Sequence, residues 1–315
     1  MDMRNHSITL CAIALILLPG RWFARAPLPA PRQEVGVAAA RGEVFVAGGI
    51  TNTTSGVPTV EAYDPRSNSW RSVADLPIAV HHTGLAGVGN RLFCIGGLRP
   101  GGFGPTDQVF EYDFGQDLWT PRAPMPTRRG ATGIAVWNGI VYVAGGTGVS
   151  GSVTAFEAYD PATNTWTVLP DFSVARNHLA AGAVAGRIVV LAGRDSGLVP
   201  QTEVFDVATG TWSFGAPIPT PRGGCGGATV GDRIFVIGGE GNPNTPTGVF
   251  DDVEAYDLLS DTWSTFTPMR TPRHGIGAVG QLDNRRNLGF VLVPGGATQQ
   301  GFGPSAANEV FVFRP

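Results

Sequence analysis

The stretch VYVAGGTGVSGSVTAFEAYDPATNTW, residues 141–166, contains three features that recur along the whole chain. It begins as an apolar segment that ends in a glycine pair and continues as a second segment that ends in Tyr159-Asp160. It closes with Trp166, seven residues after the tyrosine. Short apolar runs bounded by glycine and polar turn residues are typical of β-strands joined by tight turns. The stretch therefore predicts a repeat unit made of strands.

Units of this kind recur at intervals of 46 to 57 residues. Each carries a glycine pair or its equivalent: Gly48-Gly49, Gly96-Gly97, Gly145-Gly146, Ala192-Gly193, Gly238-Gly239 and Gly295-Gly296. Five of them carry a tryptophan at the same distance from the aromatic residue: Trp70, Trp119, Trp166, Trp212 and Trp263. We interpret these glycines and tryptophans as structural, because a repeat of this length indicates copies of one supersecondary unit.

Each unit predicts four strands, since a proline turn, a small-residue strand and a glycine or asparagine turn precede every glycine pair. One four-stranded sheet of this size cannot bury both faces, whereas sheets stacked radially do bury them. The 45 glycines, the 25 prolines and the charged fraction of 15% fit an all-β protein. The sequence therefore predicts a six-bladed β-propeller of four-stranded blades.

The two ends of the chain supply complementary parts of the sixth blade. The last unit ends in FRP, residues 313–315, which we align with the Tyr-Asp-Pro of other units, and no tryptophan strand follows. Residues 22–32, WFARAPLPAPR, match residues 212–222, WSFGAPIPTPR, and so provide Trp22 as the missing tryptophan. We expect the N-terminal strand to complete this blade, which removes two exposed sheet edges. Residues 21–315 then form a single domain.

The glycine pair, the tyrosine and the tryptophan at these spacings resemble the Kelch repeat, and the resemblance covers residues 22–315. It implies a Kelch-type propeller that binds other molecules. Some propellers of this type are enzymes, and galactose oxidase uses copper with tyrosine and histidine. Here four tyrosines occupy the repeat position and Tyr142 lies inside a predicted strand, so the residues do not favour a copper site. We expect no cofactor.

Residues 1–20 contain an eleven-residue apolar run, ITLCAIALILL at 8–18, after Arg4. This run is too short for a comfortable membrane span and fits the apolar part of a signal peptide, so we expect no integral membrane domain. The segment predicts a signal peptide or an uncleaved apolar segment, and with it a secreted or periplasmic bacterial protein. The three cysteines form no disulfide framework or metal motif.

The predicted blades place two kinds of loop on opposite faces. With strands a, b, c and d running from the channel outward, the b–c loops lie on the face where each strand a begins. These loops are long and unlike one another: 50–58, 98–107, 147–154, 194–201, 240–251 and 297–307. Variable loops on a rigid scaffold usually carry binding residues, so we expect the b–c loop face to be functional.

Arginine stands at the start of strand a in five units, at Arg32, Arg129, Arg176, Arg222 and Arg273, with Val80 in the second. Such residues could form a cationic ring for an acidic ligand. Alternatively, each arginine pairs with the glutamate two residues before the strand-c aromatic, as in Glu61, Glu157, Glu203 and Glu254. The last unit has Phe311 there, although Glu309 is near. We therefore expect Arg273 to be the least committed arginine and a ligand-binding residue, followed by Arg176 and Arg222.

Histidines follow the start of strand a in alternate units, at His81 and His82, at His178 and at His274. They predict a polar lining of the channel and candidate binding residues at the rim. A three-histidine metal site needs nitrogen atoms about 2.0–2.1 Å from the ion. We expect a six-bladed channel to be too wide for that convergence, and so expect no metal.

The motif Gly-Phe-Gly-Pro occurs at 102–105 and at 301–304, in the b–c loops of the second and sixth units. Phe103 and Phe302 could form two aromatic walls above the first blade, as sugar and peptide sites often have. Alternatively, each phenylalanine anchors its own loop. Both remain candidate ligand contacts.

The sequence leaves two classes of function open, a binding protein and an enzyme. Nucleic acid is not expected as a partner, because the net charge is −3 and no basic run is present. We expect a monomeric, non-catalytic propeller that recognises a carbohydrate or a protein, because no catalytic motif is present. The alternative is a small carbohydrate-active enzyme, similar to a sialic-acid mutarotase or, less well, to galactose oxidase. A buried His–Glu pair beside a closed pocket would favour the enzyme, whereas an open rim would favour binding.

Overall fold

The computed structural model describes residues 20–53 and 55–315, and every regular element in these ranges is a β-strand. The signal-peptide prediction falls on residues outside the described part of the chain. Within that part there is no apolar helix of a length that would cross a bilayer.

The described ranges hold 26 strands. In chain order they are β1 (Arg21–Ala24), β2 (Gly36–Ala40), β3 (Glu43–Ala47), β4 (Val60–Asp64), β5 (Ser69–Val73), β6 (Gly84–Val88), β7 (Arg91–Leu98), β8 (Pro105–Asp113), β9 (Leu118–Arg122), β10 (Gly133–Trp137), β11 (Ile140–Ala144), β12 (Thr147–Gly148), β13 (Gly151–Ser152), β14 (Phe156–Asp160), β15 (Thr165–Leu169), β16 (Ala180–Val184), β17 (Arg187–Leu191), β18 (Thr202–Asp206), β19 (Thr211–Gly215), β20 (Gly226–Val230), β21 (Arg233–Ile237), β22 (Val253–Asp257), β23 (Thr262–Thr265), β24 (Val279–Asp283), β25 (Leu288–Pro294) and β26 (Asn308–Phe313).

Six antiparallel four-stranded sheets form the blades. Blades 1 to 5 have the orders β2-β3-β4-β5, β6-β7-β8-β9, β10-β11-β14-β15, β16-β17-β18-β19 and β20-β21-β22-β23. Blade 6 has the order β24-β25-β26-β1, and β12 and β13 form a small hairpin in the b–c loop of blade 3. The inner strands β2, β6, β10, β16, β20 and β24 contact one another in sequence, and β24 contacts β2. The six-bladed propeller predicted from the sequence is confirmed.

The apolar core lies between adjacent blades rather than in the channel. Strand b is apolar along its length because both of its faces are covered, as the complete burial of Phe45 and Val46 in β3 shows. Phe45 of blade 1 packs in one cluster with Leu92 and Phe110 of blade 2. Radial stacking therefore buries the strands that a single sheet would expose.

The N-terminal strand completes blade 6 as expected. β1 pairs antiparallel with β26, with Trp22 opposite Phe311. Trp22 Nε1 donates a hydrogen bond to Thr267 O at 3.1 Å, in the segment that follows the outer strand of blade 5. The same bond from outer strand to preceding blade recurs at Trp70, Trp119, Trp166, Trp212 and Trp263. The tryptophans thus fasten each blade to the one before it.

The alignment of the last unit differs from the prediction by two residues. Trp22 lies opposite Phe311, just as Trp70 lies opposite Tyr63 in blade 1. The Trp22 and Phe311 rings are 5.2 Å apart, close to the 5.0 Å between Tyr63 and Trp70. Phe311, and not Phe313, therefore occupies the tyrosine position.

The glycine pairs lie where neighbouring blades meet. A Cβ atom on Gly96 would lie 2.4 Å from the carbonyl oxygen of Arg129 in blade 3, so no side chain fits there. The N–H of Gly97 donates to that same oxygen at 3.0 Å. Both glycines have positive φ, 58° and 122°, which side chains strain. The pair therefore serves as a close backbone junction between blades.

Candidate functional site

The candidate site lies at the mouth of the channel, on the b–c loop face, where each chain segment enters strand a. The entry segments are held by the arginines at the strand-a start. Arg129 Nη1 lies 2.6 Å from Glu157 Oε2, and its Nη2 donates to Val143 O at 3.0 Å. Five such pairs are present: Arg32–Glu61, Arg129–Glu157, Arg176–Glu203, Arg222–Glu254 and Arg273–Glu309. The intrablade ion pairs inferred from the sequence are therefore present.

The expectation that Arg273 is the least committed arginine is wrong. Arg273 is fully buried, donates to the carbonyl oxygens of Val293, Gly295 and Ala307, and pairs with Glu309 at 2.9 Å. Glu309 lies opposite Val293, which is the register that Glu61 has in blade 1, so the two-residue shift hid this partner.

Arg176 and Arg222 are also fully buried and ion-paired. None of these three arginines presents its guanidinium at the open rim. Their geometry supports a role in holding the entry segments, and gives no support to direct contact with a ligand.

Two residues after the arginine position, one residue from each blade joins a closed ring of backbone hydrogen bonds. Each N–H donates to the carbonyl oxygen of the corresponding residue in the blade before it, at 2.7 to 2.9 Å. All six have positive φ, between 54° and 64°. We call these residues the mouth ring: Glu34, His82, Ala131, His178, Gly224 and Gly275.

The mouth ring brings three of the side chains together. His82 Nε2 lies 2.9 Å from His178 Nε2 and 3.0 Å from Glu34 Oε2. His178 Nε2 lies 4.0 Å from the same oxygen. His82 and His178 therefore converge with Glu34 and not with a third histidine, a combination with a carboxylate that the sequence argument did not consider.

His274, one residue before the ring position of blade 6, joins the same group. Its Nδ1 lies 3.6 Å from Glu34 Oε1 and 3.5 Å from Glu240 Oε2. Arg194 Nη2 pairs with Glu240 Oε1 at 2.8 Å and approaches His178 Nε2 at 3.3 Å. We call these six residues the mouth cluster: Glu34, His82, His178, Arg194, Glu240 and His274.

Burial dominates the protonation of the mouth cluster. Burial raises the pKa of Glu34 to about 8, the charge of Glu240 adds to this, and Arg194 opposes it. Burial also lowers the pKa of His82 and His178 well below the usual histidine value, and lowers that of His274. At neutral pH, without another cation, Glu34 is therefore mainly protonated and the histidines are neutral.

Above the cluster, the two Gly-Phe-Gly-Pro loops leave their phenylalanines about half exposed, 51% for Phe103 and 53% for Phe302. Phe103 also packs its edge on His81, with centroids 4.6 Å apart. The loop of Phe302 is braced by Gln33 of blade 1, whose side chain bonds Gly301 O and Gly303 N, each at 2.9 Å. Both loops are thus fixed to the scaffold while their aromatic rings reach solvent.

Two cavities lie below the mouth ring. One of about 80 Å³ lies among ring residues and the next residues of strand a, such as Val35 and Cys225. The other, of about 150 Å³, lies among strand-a residues such as Gly36, Leu85 and Ile134. A larger cleft of about 370 Å³ lies near Phe214 and Leu259, outside the b–c loop face. Large ligands would therefore contact the loops and not enter the channel.

A family model for the Kelch motif matches residues 31–77, 79–126, 128–173, 175–219 and 221–270. The chain belongs to the Kelch-repeat family. These five matches correspond to blades 1 to 5 of this Kelch propeller, each running from the arginine position past the outer strand.

Curated relatives share the repeat and are longer than this Kelch chain. It is 31% identical over 309 residues to the Kelch-like protein terF of Aspergillus terreus, covering 90% of this chain and 66% of that protein. It is 28% identical over 173 residues to the Kelch-like protein 41a of Danio rerio, covering 55% of this chain and 29% of that protein. The matched region therefore spans 66% of the length of the first relative and 29% of the length of the second.

Among solved structures, that of YjhT is similar to this propeller with a TM-score of 0.72. The two are 16% identical, and the match covers 91% of this chain and 96% of YjhT. At this identity the likeness shows the fold alone.

Sequence reasoning found the histidines but missed Glu34, Arg194 and Glu240. Glu34 stands two residues after Arg32, as His82 stands two residues after Val80 and His178 two after Arg176. Comparing the residue two positions after the arginine position in all six units would have placed a carboxylate beside two imidazoles.

Proposed function

We propose that this Kelch propeller is a non-catalytic binding protein that recognises a carbohydrate or a protein through its b–c loop face. The observation that supports this most is the pair of half-exposed phenylalanines, Phe103 and Phe302, on loops that the scaffold holds in place. A rigid aromatic side chain offers a large apolar contact at a small cost in conformational entropy.

The surroundings of the two phenylalanines fit the same proposal. Polar groups of the mouth cluster lie at the base of the loops, so an apolar rim stands beside hydrogen-bonding groups, as in many ligand sites. The cavities beneath the ring, about 80 Å³ and about 150 Å³, are too small for a large ligand, which favours surface recognition over an enclosed reaction chamber. The Kelch relatives are longer than the region that matches this chain, so the activity of a complete relative is not assigned to this chain.

The test compares Phe103→Ala/Phe302→Ala with Phe214→Ala, a control at a phenylalanine that is 67% exposed on the outer strand β19. A glycan array and a panel of purified candidate proteins identify a ligand for the wild type. We expect the double variant to weaken binding at least about tenfold, since each lost aromatic contact is worth about 1 kcal/mol or more. Equal binding by both variants would reject the loop face as the site.

A second function, a small carbohydrate-active enzyme, is favoured by the buried Glu34–His82 pair. Burial raises the pKa of Glu34 to about 8, so that its carboxyl group holds a proton at neutral pH and can act as a general acid. Anomer interconversion of a sugar panel, followed by NMR, tests this proposal. An activity that Glu34→Gln abolishes supports it, and a wild type without activity on any sugar rejects it for that panel.

The galactose-oxidase comparison gains no support from the tyrosines. Tyr63, Tyr159 and Tyr256 are buried between blades, each with its hydroxyl bonded to a turn residue of its own blade. None of them belongs to the mouth cluster.

A further inference from the structure

The mouth ring holds three side chains with the geometry of a metal site. The donor atoms are Glu34 Oε2, His82 Nε2 and His178 Nε2, separated by 2.9, 3.0 and 4.0 Å. A point in their plane lies about 2.0 Å from each, which equals the usual Zn–N and Zn–O distance. Tetrahedral coordination needs Glu34 Oε2 and His178 Nε2 to move closer together, because this point lies almost on the line between them. These three residues also form the group of potential metal ligands found in the described part of the chain.

Hydrogen bonds outside the triangle orient the imidazoles. His178 Nδ1 bonds the side-chain oxygen of Asn177, so its proton lies on Nδ1 and a lone pair lies on Nε2. His82 Nδ1 bonds His81 Nδ1, which leaves His82 Nε2 to face the triangle. Partners of this kind orient the ring, and for His178 the Asn177 oxygen also sets the tautomer, as is characteristic of histidine ligands in metal sites.

His274 provides a second, independent observation. Its Nε2 donates to Gln299 O at 2.9 Å, so a neutral ring carries its lone pair on Nδ1. That Nδ1 is buried, has no hydrogen-bond partner among the described atoms, and faces Glu34 Oε1 and Glu240 Oε2. A lone pair that faces two carboxylates is unfavourable unless a cation or a proton lies among them.

Arg194 is the permanent cation of the mouth cluster, so its position bears on whether a metal ion can bind there. Arg194 Nη2 lies 3.3 Å from His178 Nε2 and opposes a cation there, but its side chain is 39% exposed and is paired with Glu240. It can therefore retain that pair, or turn towards solvent, when a cation binds.

We propose that Glu34, His82 and His178 bind a divalent first-row transition metal, with zinc as the expected ion. Two imidazoles and one carboxylate form a common zinc donor set. The ion would lie among side chains from blades 1, 2 and 4, at the mouth ring. This inference is independent of ligand binding by the loops.

The experiment is calorimetric titration of the full chain, prepared without a histidine tag and stripped with a chelator, with zinc chloride. We expect one ion per chain. Glu34→Gln and His178→Asn should weaken binding at least about 100-fold, since even outer residues of metal sites contribute 10–100-fold. Asparagine suits the positive φ of 54° at position 178.

The matched control is Glu240→Gln, which removes the other buried carboxylate of the mouth cluster and should retain binding. X-ray absorption of the zinc-loaded wild type should show two imidazoles at about 2.0 Å, a result that does not depend on any variant folding. Absence of stoichiometric binding by the wild type, or equal affinity in Glu34→Gln, overturns the proposal. Loss of binding in Glu240→Gln with retention in Glu34→Gln overturns the ligand assignment.

Discussion

Replacing Trp22 by alanine tests whether the N-terminal strand closes the propeller in solution. Trp22 is partly buried, its ring lies 5.2 Å from that of Phe311, and its indole N–H bonds the preceding blade at Thr267. A tryptophan buries about 150–250 Å², and apolar burial stabilises by about 25 cal/mol per Å². Because Trp22 is only partly buried, the area that it buries should lie near the lower end of this range, and its loss should cost about 3 kcal/mol.

The matched control is Trp212→Ala, the same substitution in blade 4. Trp212 is also partly buried, lies 5.1 Å from Phe205 and bonds Pro170 O at 2.7 Å, but it lies in the middle of the chain. If β1 is docked as firmly as an internal strand, both variants lose about 3 kcal/mol and about 6 °C in melting temperature.

Urea denaturation followed by far-UV circular dichroism measures both losses. A Trp22→Ala variant that loses less than about 1 kcal/mol, beside a Trp212→Ala variant that loses about 3, would refute closure by the N-terminal strand. Deletion of residues 21–26 should be more damaging than Trp22→Ala, because it also removes the backbone pairing of β1 with β26. A deletion variant with an unchanged melting temperature would lead to the same refutation.

Three further results are expected. Arg129→Ala should destabilise the protein by about 3–5 kcal/mol in urea denaturation, because it leaves Glu157 buried without its partner; a loss below about 1 kcal/mol would contradict this. Two flanking arginines lower the pKa of Glu111, so its ionised form stabilises the fold above its unfolded pKa, and that stability is lost as pH falls through the folded value. The wild type should therefore exceed Glu111→Gln in stability at pH 7 and lose this advantage in acid, and a pH-independent difference would be inconsistent with it. Burial raises the pKa of Cys94 to about 12 and that of Cys225 to about 11, so neither should react with a thiol reagent until the protein unfolds, as a colorimetric thiol assay would show.

The fold was predictable because its determinants are local and repeated. Each glycine pair forms a close backbone junction between blades, and each tryptophan donates a hydrogen bond to the preceding blade. Because every blade needs both contacts, both residue types recur in the sequence at regular intervals. The closing strand was also predictable, since residues 22–32 match an internal copy. The two-residue shift at Phe311 was not, because alternating apolar residues in VFVF, 310–313, fit either register.

The mouth cluster was only half predictable. Its histidines stand out because they are rare in this chain, but Glu34 resembles any surface glutamate in the sequence. Its burial depends on a positive φ, which alanine and glycine also adopt at the same position in other blades. The residue type at this position therefore does not predict the conformation. Arg194 and Glu240 each follow a glycine pair or its equivalent directly, sixteen residues after the ring position of their blade, but the same position holds Ile50, Leu98 and Thr147 in blades 1 to 3, so the repeat gave no sign of a charged group there.

In the mouth ring, main-chain hydrogen bonds join the blades, while the side chains of the same residues determine which chemical groups face the axis. The bonds of this ring are made by main-chain atoms, so a side chain can change at a ring position where the left-handed conformation and the available space both allow it. Asparagine or aspartate at Ala131 or Gly224 would alter the groups facing the axis while leaving the backbone bonds in place, whereas a Cβ atom at Gly275 would lie 2.6 Å from Glu34 Oε1. The central site of this propeller can therefore be redesigned at defined positions without changing the residues that close the ring.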